Sequence, residues 1–239
     1  MEQNSIRIAN AVPIMNAKAL IDGILALQKI DIPEHLMKKG AIRKGSELDP
    51  NTYFKVLKHI SVIPRHTLDY VYSYQSTGGQ PILYVRRVDA VPFQYPGQVS
   101  SWNRRNDIYD CLLADGSPQS FFELVVFRLM AGQFYQHWHA GYNDQRIMTS
   151  QDDIEKLISS INESVRSAKF TEQQMAAMRA LDVQPRVKMI DTEAAVFYCT
   201  FSSWGGLARQ KTAYRLVPPH RILGQITMAK VNYDCGILF

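Results

Sequence analysis

The sequence predicts an α+β fold: mainly antiparallel sheet, with an N-terminal helical section and a central helical pair. Three observations carry this. Leu68, Tyr70, Tyr72 and Tyr74 alternate with Thr67, Asp69, Val71, Ser73 and Gln75, the period-two pattern of a half-buried strand. Residues 82–88 return behind Ser76-Thr77-Gly78-Gly79, which completes a hairpin with a tyrosine ladder. Ser150 stands three residues before Asp153, and Thr171 three before Gln174. Each pair marks a helix start in which the hydroxyl and the longer side chain cap one another's backbone N–H.

In chain order, residues 16–30 predict an amphipathic helix, with Leu20, Ile24 and Leu27 at three- and four-residue spacing and Asn16 as N-cap. Gly23 costs this helix about 1 kcal/mol relative to alanine, so packing must hold it. Pro33 ends it, and a turn over 34–39 stops at Gly40. Asp49-Pro50 opens a further helix with Tyr53, Val56, Leu57 and Ile60 inward. After the tyrosine hairpin, residues 89–117 are rich in Pro, Gly, Asn and Asp, and a short strand is expected at 108–113. Periodicity does not separate strand from helix for the apolar run 121–130. Ser117-Pro118 favours a helix start, while Phe-Phe, Val-Val and the adjoining glycine favour a strand. The strand is the preferred reading, hairpinning back through 134–140, followed by a turn at 141–144 and a strand at 146–149. Ile154, Leu157, Ile158, Ile161 and Val165 form the apolar stripe of the helix after Ser150, and the next helix ends near Leu181. Strands follow at 186–190, at 195–202, at 207–217 behind the Gly205-Gly206 turn, and at 226–233. The expected organisation is one domain over 1–239, with a helical section to about residue 64 and a sheet-rich remainder from about 65.

Composition narrows the function classes. The 239 residues are 46% hydrophobic and 21% charged, enough to bury a sizeable core. The net charge of +5 allows loose contact with polyanions. A nucleic-acid interface requires that charge on one face, so nucleic acid is admitted as a partner but not indicated. Cys111, Cys199 and Cys235 are scattered and odd in number, with no CxxC pair for a zinc ribbon or a thioredoxin-like site. No stretch approaches the roughly 18 apolar residues of a membrane span, and the N-terminus lacks a signal-peptide pattern, so a cytoplasmic location is expected.

Two stretches hold candidate chemistry. Between Gly132 and Gln145 stand Phe134, Tyr135, His137, Trp138, His139 and Tyr142. On a strand, Tyr135, His137 and His139 share one face, and two histidines at i and i+2 can present nitrogens to one divalent metal, with Asp144 or His220 completing the site. On a helix they diverge. The order Gly132, His137, His139, Asp144 is similar to the first cupin motif, but the spacing differs, the acid is Asp, and a capped helix follows, so that family is rejected. The second stretch is 204–215: Arg209, Lys211 and Arg215 fall on one strand face beside Trp204, a row suited to a phosphate or carboxylate. There is no GxSxG elbow and no glycine-rich phosphate loop. Cys199, inside an apolar strand, is badly placed for a reactive thiolate. Two functions follow as expectations. One is a soluble intracellular binding or interaction protein that meets a protein or anionic partner through Tyr135, Trp204, Arg209, Lys211 and Arg215. The other is a metal-dependent hydrolase using His137 and His139.

Overall fold

The computed structural model describes residues 10–75, 77–104, 106–138, 145–165 and 167–236. It has the α+β class expected from the sequence. The elements run β1 (Val12–Pro13), α1 (Ala17–Gln28), β2 (Ile60–Val62), β3 (His66–Gln75), β4 (Gly78–Arg87), α2 (Pro96–Asn103), β5 (Leu112–Ala114), α3 (Pro118–Met130) and β6 (His137–Trp138). They continue with β7 (Arg146–Met148), α4 (Gln151–Glu163), α5 (Glu172–Arg179), β8 (Arg186–Ile190), β9 (Glu193–Ser202), β10 (Gly206–Arg215) and β11 (Ile222–Val231). The chain divides into two compact units. Unit 1 holds the described parts of Met1–Lys18, Tyr142–Leu216 and Ile222–Phe239, and unit 2 those of Ala19–Gly141 and Val217–Arg221.

Unit 1 is built on a six-stranded sheet in the order β1-β8-β9-β10-β11. β9 is long enough to take two partners on one edge: residues 193–197 pair with β8 and residues 199–201 with β7. Both expected capping boxes form, Ser150 with Asp153 and Thr171 with Gln174. The stripe residues Ile154, Leu157 and Ile158 of α4 pack with Phe170, Met178, Cys199, Phe201 and Tyr233. Gly206 closes the β9–β10 hairpin at φ 79°, where an added Cβ would stand 2.6 Å from the Tyr233 nitrogen, so only glycine fits.

Unit 2 contains the tyrosine hairpin. β3 and β4 pair from His66 with Arg87 to Gln75 with Gly78, and β6 joins β4 at Gly78 and Gly79. β3 is therefore an edge strand. Its outer backbone groups are covered by side chains: Asn51 donates to the Leu68 carbonyl at 2.9 Å and accepts from its N–H at 3.0 Å, while Arg43 donates to the Tyr70 carbonyl at 3.0 Å. Asp49 caps a six-residue 3₁₀ turn, Pro50–Lys55, by accepting from the Asn51 N–H. Phe134 is fully buried, edge-on to Tyr70 at 4.8 Å and to Tyr53 at 6.3 Å.

Three expectations are corrected in unit 2. Residues 121–130 are helical, inside α3, and do not form a strand. Ser117 caps that helix and Pro118 opens it, while every residue from Ser120 to Phe127 is buried. Burial all round the helix erases the polar face that would have shown a 3.6-residue period. Consequently 134–140 is not a return strand. Phe134 and Tyr135 turn, with Tyr135 at φ 52°, and only His137 and Trp138 pair with β4. The expected strand at 108–113 is a 3₁₀ turn, Ile108–Cys111, that leads into β5.

Candidate functional site

A concentration of charge beneath a cleft lies on β3 and β4, on the face opposite the tyrosine ladder. Asp69 is only 5% exposed and sits directly across from Tyr84. Arg86 lies two residues further along β4 on the same face, and donates through Nε to Asp69 Oδ2 at 2.7 Å. Arg43 reaches over the edge of β3 and donates through Nη1 to Asp69 Oδ1. Its guanidinium stacks on the Tyr70 ring, with Cζ 3.8 Å from the centroid. A buried carboxylate thus holds two guanidinium groups, each with about a fifth of its side-chain surface exposed.

These groups line a cleft of about 340 Å³, together with Ile42, Gly45, Val71 and the segment Val91, Pro92, Phe93 and Gln94. The segment is fixed from below. Phe93 stacks on Tyr84 at 4.6 Å and donates its N–H to the Tyr84 hydroxyl at 2.7 Å. Arg86 Nη1 donates to the Ala90 carbonyl at 2.8 Å. Burial pushes the Tyr84 phenol up to about 12, so it stays protonated.

Each guanidinium has committed part of its donor set. Arg43 uses Nη1, and its Nε is buried without a hydrogen bond, 4.0 Å from Glu47 Oε2. Arg86 uses Nε and Nη1. Neither Nη2 makes a hydrogen bond within the described residues. Two amino groups, on the two arginines that line the cleft, therefore remain able to bind an acceptor.

Glu47 holds the loop that carries Arg43. Its carboxylate accepts from the Lys44 N–H at 2.7 Å, the Gly45 N–H at 2.8 Å and the His35 ring at 2.6 Å. Burial pushes this carboxyl up, but those donors outweigh it and hold it down at about 2. Because the folded value lies below the ordinary one, the stabilisation is complete above about pH 4.5 and is lost as pH falls toward 2. One pKa unit is worth about 1.4 kcal/mol, and solvent screening removes part of it, so the contribution is about 2 kcal/mol. Urea midpoints should show wild type above Glu47→Gln by about that amount at pH 6, with the gap roughly halved at pH 3 and closed only below about pH 2. A gap that does not change with pH would contradict this role.

The residues expected from the sequence lie elsewhere and do not converge. Tyr135 is buried, with its hydroxyl accepting the Leu48 N–H at 3.1 Å and its carbonyl accepting the Tyr72 hydroxyl at 2.7 Å. His137 is exposed on β6, while His139 and Asp144 lie outside the described residues. His220 is buried, accepts the Ala114 N–H at 3.1 Å and stands edge-on to Phe121. Among the described residues no group of three His, Cys, Asp or Glu side chains could hold a metal ion.

The cations expected in a row on β10 differ in their surroundings. Arg209 is 4% exposed and donates to the Gln184 carbonyl at 3.2 Å, with Asp182 at 3.5 Å and the Cys199 sulfur at 3.9 Å. β10 lies inside the sheet, between β9 and β11, so its cations are not guarding an edge. Lys211 lines a separate cleft with Glu193, Leu223 and Ile226, Arg215 is half-buried, and Trp204 packs against the α4 and α5 core.

Nucleophilic chemistry gains nothing from the geometry. Burial pushes the Cys199 thiol up to about 11 against the pull of Arg209, and burial also raises Cys111. His59 is held by Asp115 at 2.7 Å, a dyad suited to a general base, but no hydroxyl or thiol bonds to its ring among the described residues. No helix is long and apolar enough to cross a membrane among those residues. No family model matches the sequence, and neither a curated protein nor a solved structure matches it.

Proposed function

We propose that this chain is a binding protein, and that its unit 2 takes a small anionic ligand in the cleft between Arg43 and Arg86. The observation that supports this reading most is that the two arginines lining the cleft each keep an Nη2 amino group with no acceptor among the described residues. Charged donors of this kind contribute about 1.5–3 kcal/mol each when they meet an anion. The expectation of an anionic partner is kept, and its location moves from β10 to the β3–β4 face, because the buried Arg209 is already engaged.

Calorimetric titration of the full chain with small anions at constant ionic strength tests the reading. Wild type should give saturable binding. Arg86→Lys keeps a positive charge for Asp69 but loses the planar fork, and should weaken binding at least tenfold, about 1.4 kcal/mol. Equal affinity in the two proteins would overturn the assignment.

A further inference from the structure

We infer that the ligand of this cleft is a monoanionic carboxylate carrying an apolar body, as distinct from a phosphate; this rests on the anion-binding reading above. Charge is the first argument. Arg43 and Arg86 bring two positive charges to the cleft, and Asp69 and Glu47 bring two negative ones, linked in the order Glu47–Arg43–Asp69–Arg86. These four groups sum to zero before any ligand arrives. A phosphate dianion would leave that sum at minus two beside the buried Asp69 carboxylate, whereas a carboxylate leaves minus one. Phosphate sites answer that charge with surplus cations or a cluster of backbone N–H groups. The N–H groups of the adjoining loop are not available for this, since those of Lys44 and Gly45 already point at Glu47.

Donor geometry is the second argument. Apart from the buried Arg43 Nε, what remains free is one amino group on each of two guanidinium groups that are held by the two oxygens of the same Asp69. Two separate single donors match the two oxygens of one carboxylate. They leave the third oxygen of a phosphate unmet. The lining is the third. Apart from the charged groups it is mostly apolar, with Ile42, Val71, Val91, Pro92 and Phe93 against Gly45 and Gln94. Such a wall has nothing to offer inorganic phosphate but suits a short aliphatic or aryl chain. The volume of about 340 Å³ is at the small end for ligand sites, which favours an acid of roughly a dozen heavy atoms or fewer.

Three probes separate the possibilities by calorimetry on the full chain at pH 7: phenylacetate, acetate and inorganic phosphate. The expected order is phenylacetate at least tenfold tighter than either of the others. Val91 is 81% exposed at the rim, so Val91→Glu adds a negative charge without burying it. It should stay folded by circular dichroism and weaken phenylacetate at least threefold. Phosphate binding as tightly as phenylacetate would overturn the carboxylate assignment while leaving the anion site standing. Acetate matching phenylacetate would overturn the apolar body. No saturable binding by any of the three would overturn the anion reading itself, and this inference with it.

Discussion

Replacing Asp69 with alanine is expected to destabilise unit 2 by about 3 kcal/mol. The carboxylate is 5% exposed and accepts from Arg43, from Arg86 and from the Tyr70 N–H, so its removal strands two guanidinium groups at once. Breaking a buried ion pair by deleting one partner costs about 3–5 kcal/mol, and the lower end applies because both arginines keep some contact with water. Hydrogen exchange localises the effect: amides of β3 and β4 should lose protection while those of β9 and β10 keep theirs. Exchange that is unchanged in β3 and β4 would show that the triad does not hold this face together. The triple variant Arg43→Met, Asp69→Leu, Arg86→Met is expected to fold with stability close to wild type, since apolar replacement of a whole buried ion cluster is often neutral or better. It should bind no anion, which separates the triad's part in folding from its part in recognition.

Arg209→Glu is expected to cost unit 1 about 3–5 kcal/mol. The substitution places a carboxylate where the arginine donated to the Gln184 carbonyl, and brings it toward Asp182. Arg209→Met should cost only about 1–2 kcal/mol, because it forfeits the hydrogen bonds but buries no charge, and Asp182 retains Arg186 at 3.3 Å. Lys211→Glu, on the same strand, should fall within about 0.5 kcal/mol of wild type. Urea denaturation of the three variants reads the ranking directly. If Arg209→Glu proved as mild as Lys211→Glu, Arg209 would be accessible, and a binding role on β10 would be restored.

The two sites differ in how far the sequence showed them. The tyrosine hairpin and the capped helices were legible because each is a local pattern: period-two alternation, and a hydroxyl three residues before an acid or amide. The hairpin register also contained the Asp69–Arg86 contact. Pairing Gln75 with Gly78 places Asp69 opposite Tyr84 and diagonal to Arg86, yet Asp69 reads as one polar residue in an outward row. What no pattern signalled was Arg43, which arrives over the strand edge from a loop 26 residues away in sequence. The apolar run in α3 misled for the reverse reason: with almost every position buried, strand and helix look alike. On β10, alternation placed Arg209 on the same face as Lys211 but carried no information about the 182–184 segment that covers it.

The cleft between Arg43 and Arg86 is the centre of the proposed function. A crystal grown with 4-bromophenylacetate tests it most directly, because anomalous scattering locates the bromine independently of the protein phases. The expected result is a bromine peak against Val71, Val91 and Phe93, with the carboxylate oxygens within hydrogen-bond distance of Arg43 Nη2 and Arg86 Nη2. An empty cleft with bromine bound elsewhere, or an acid in the cleft whose carboxylate faces away from both arginines, would contradict it.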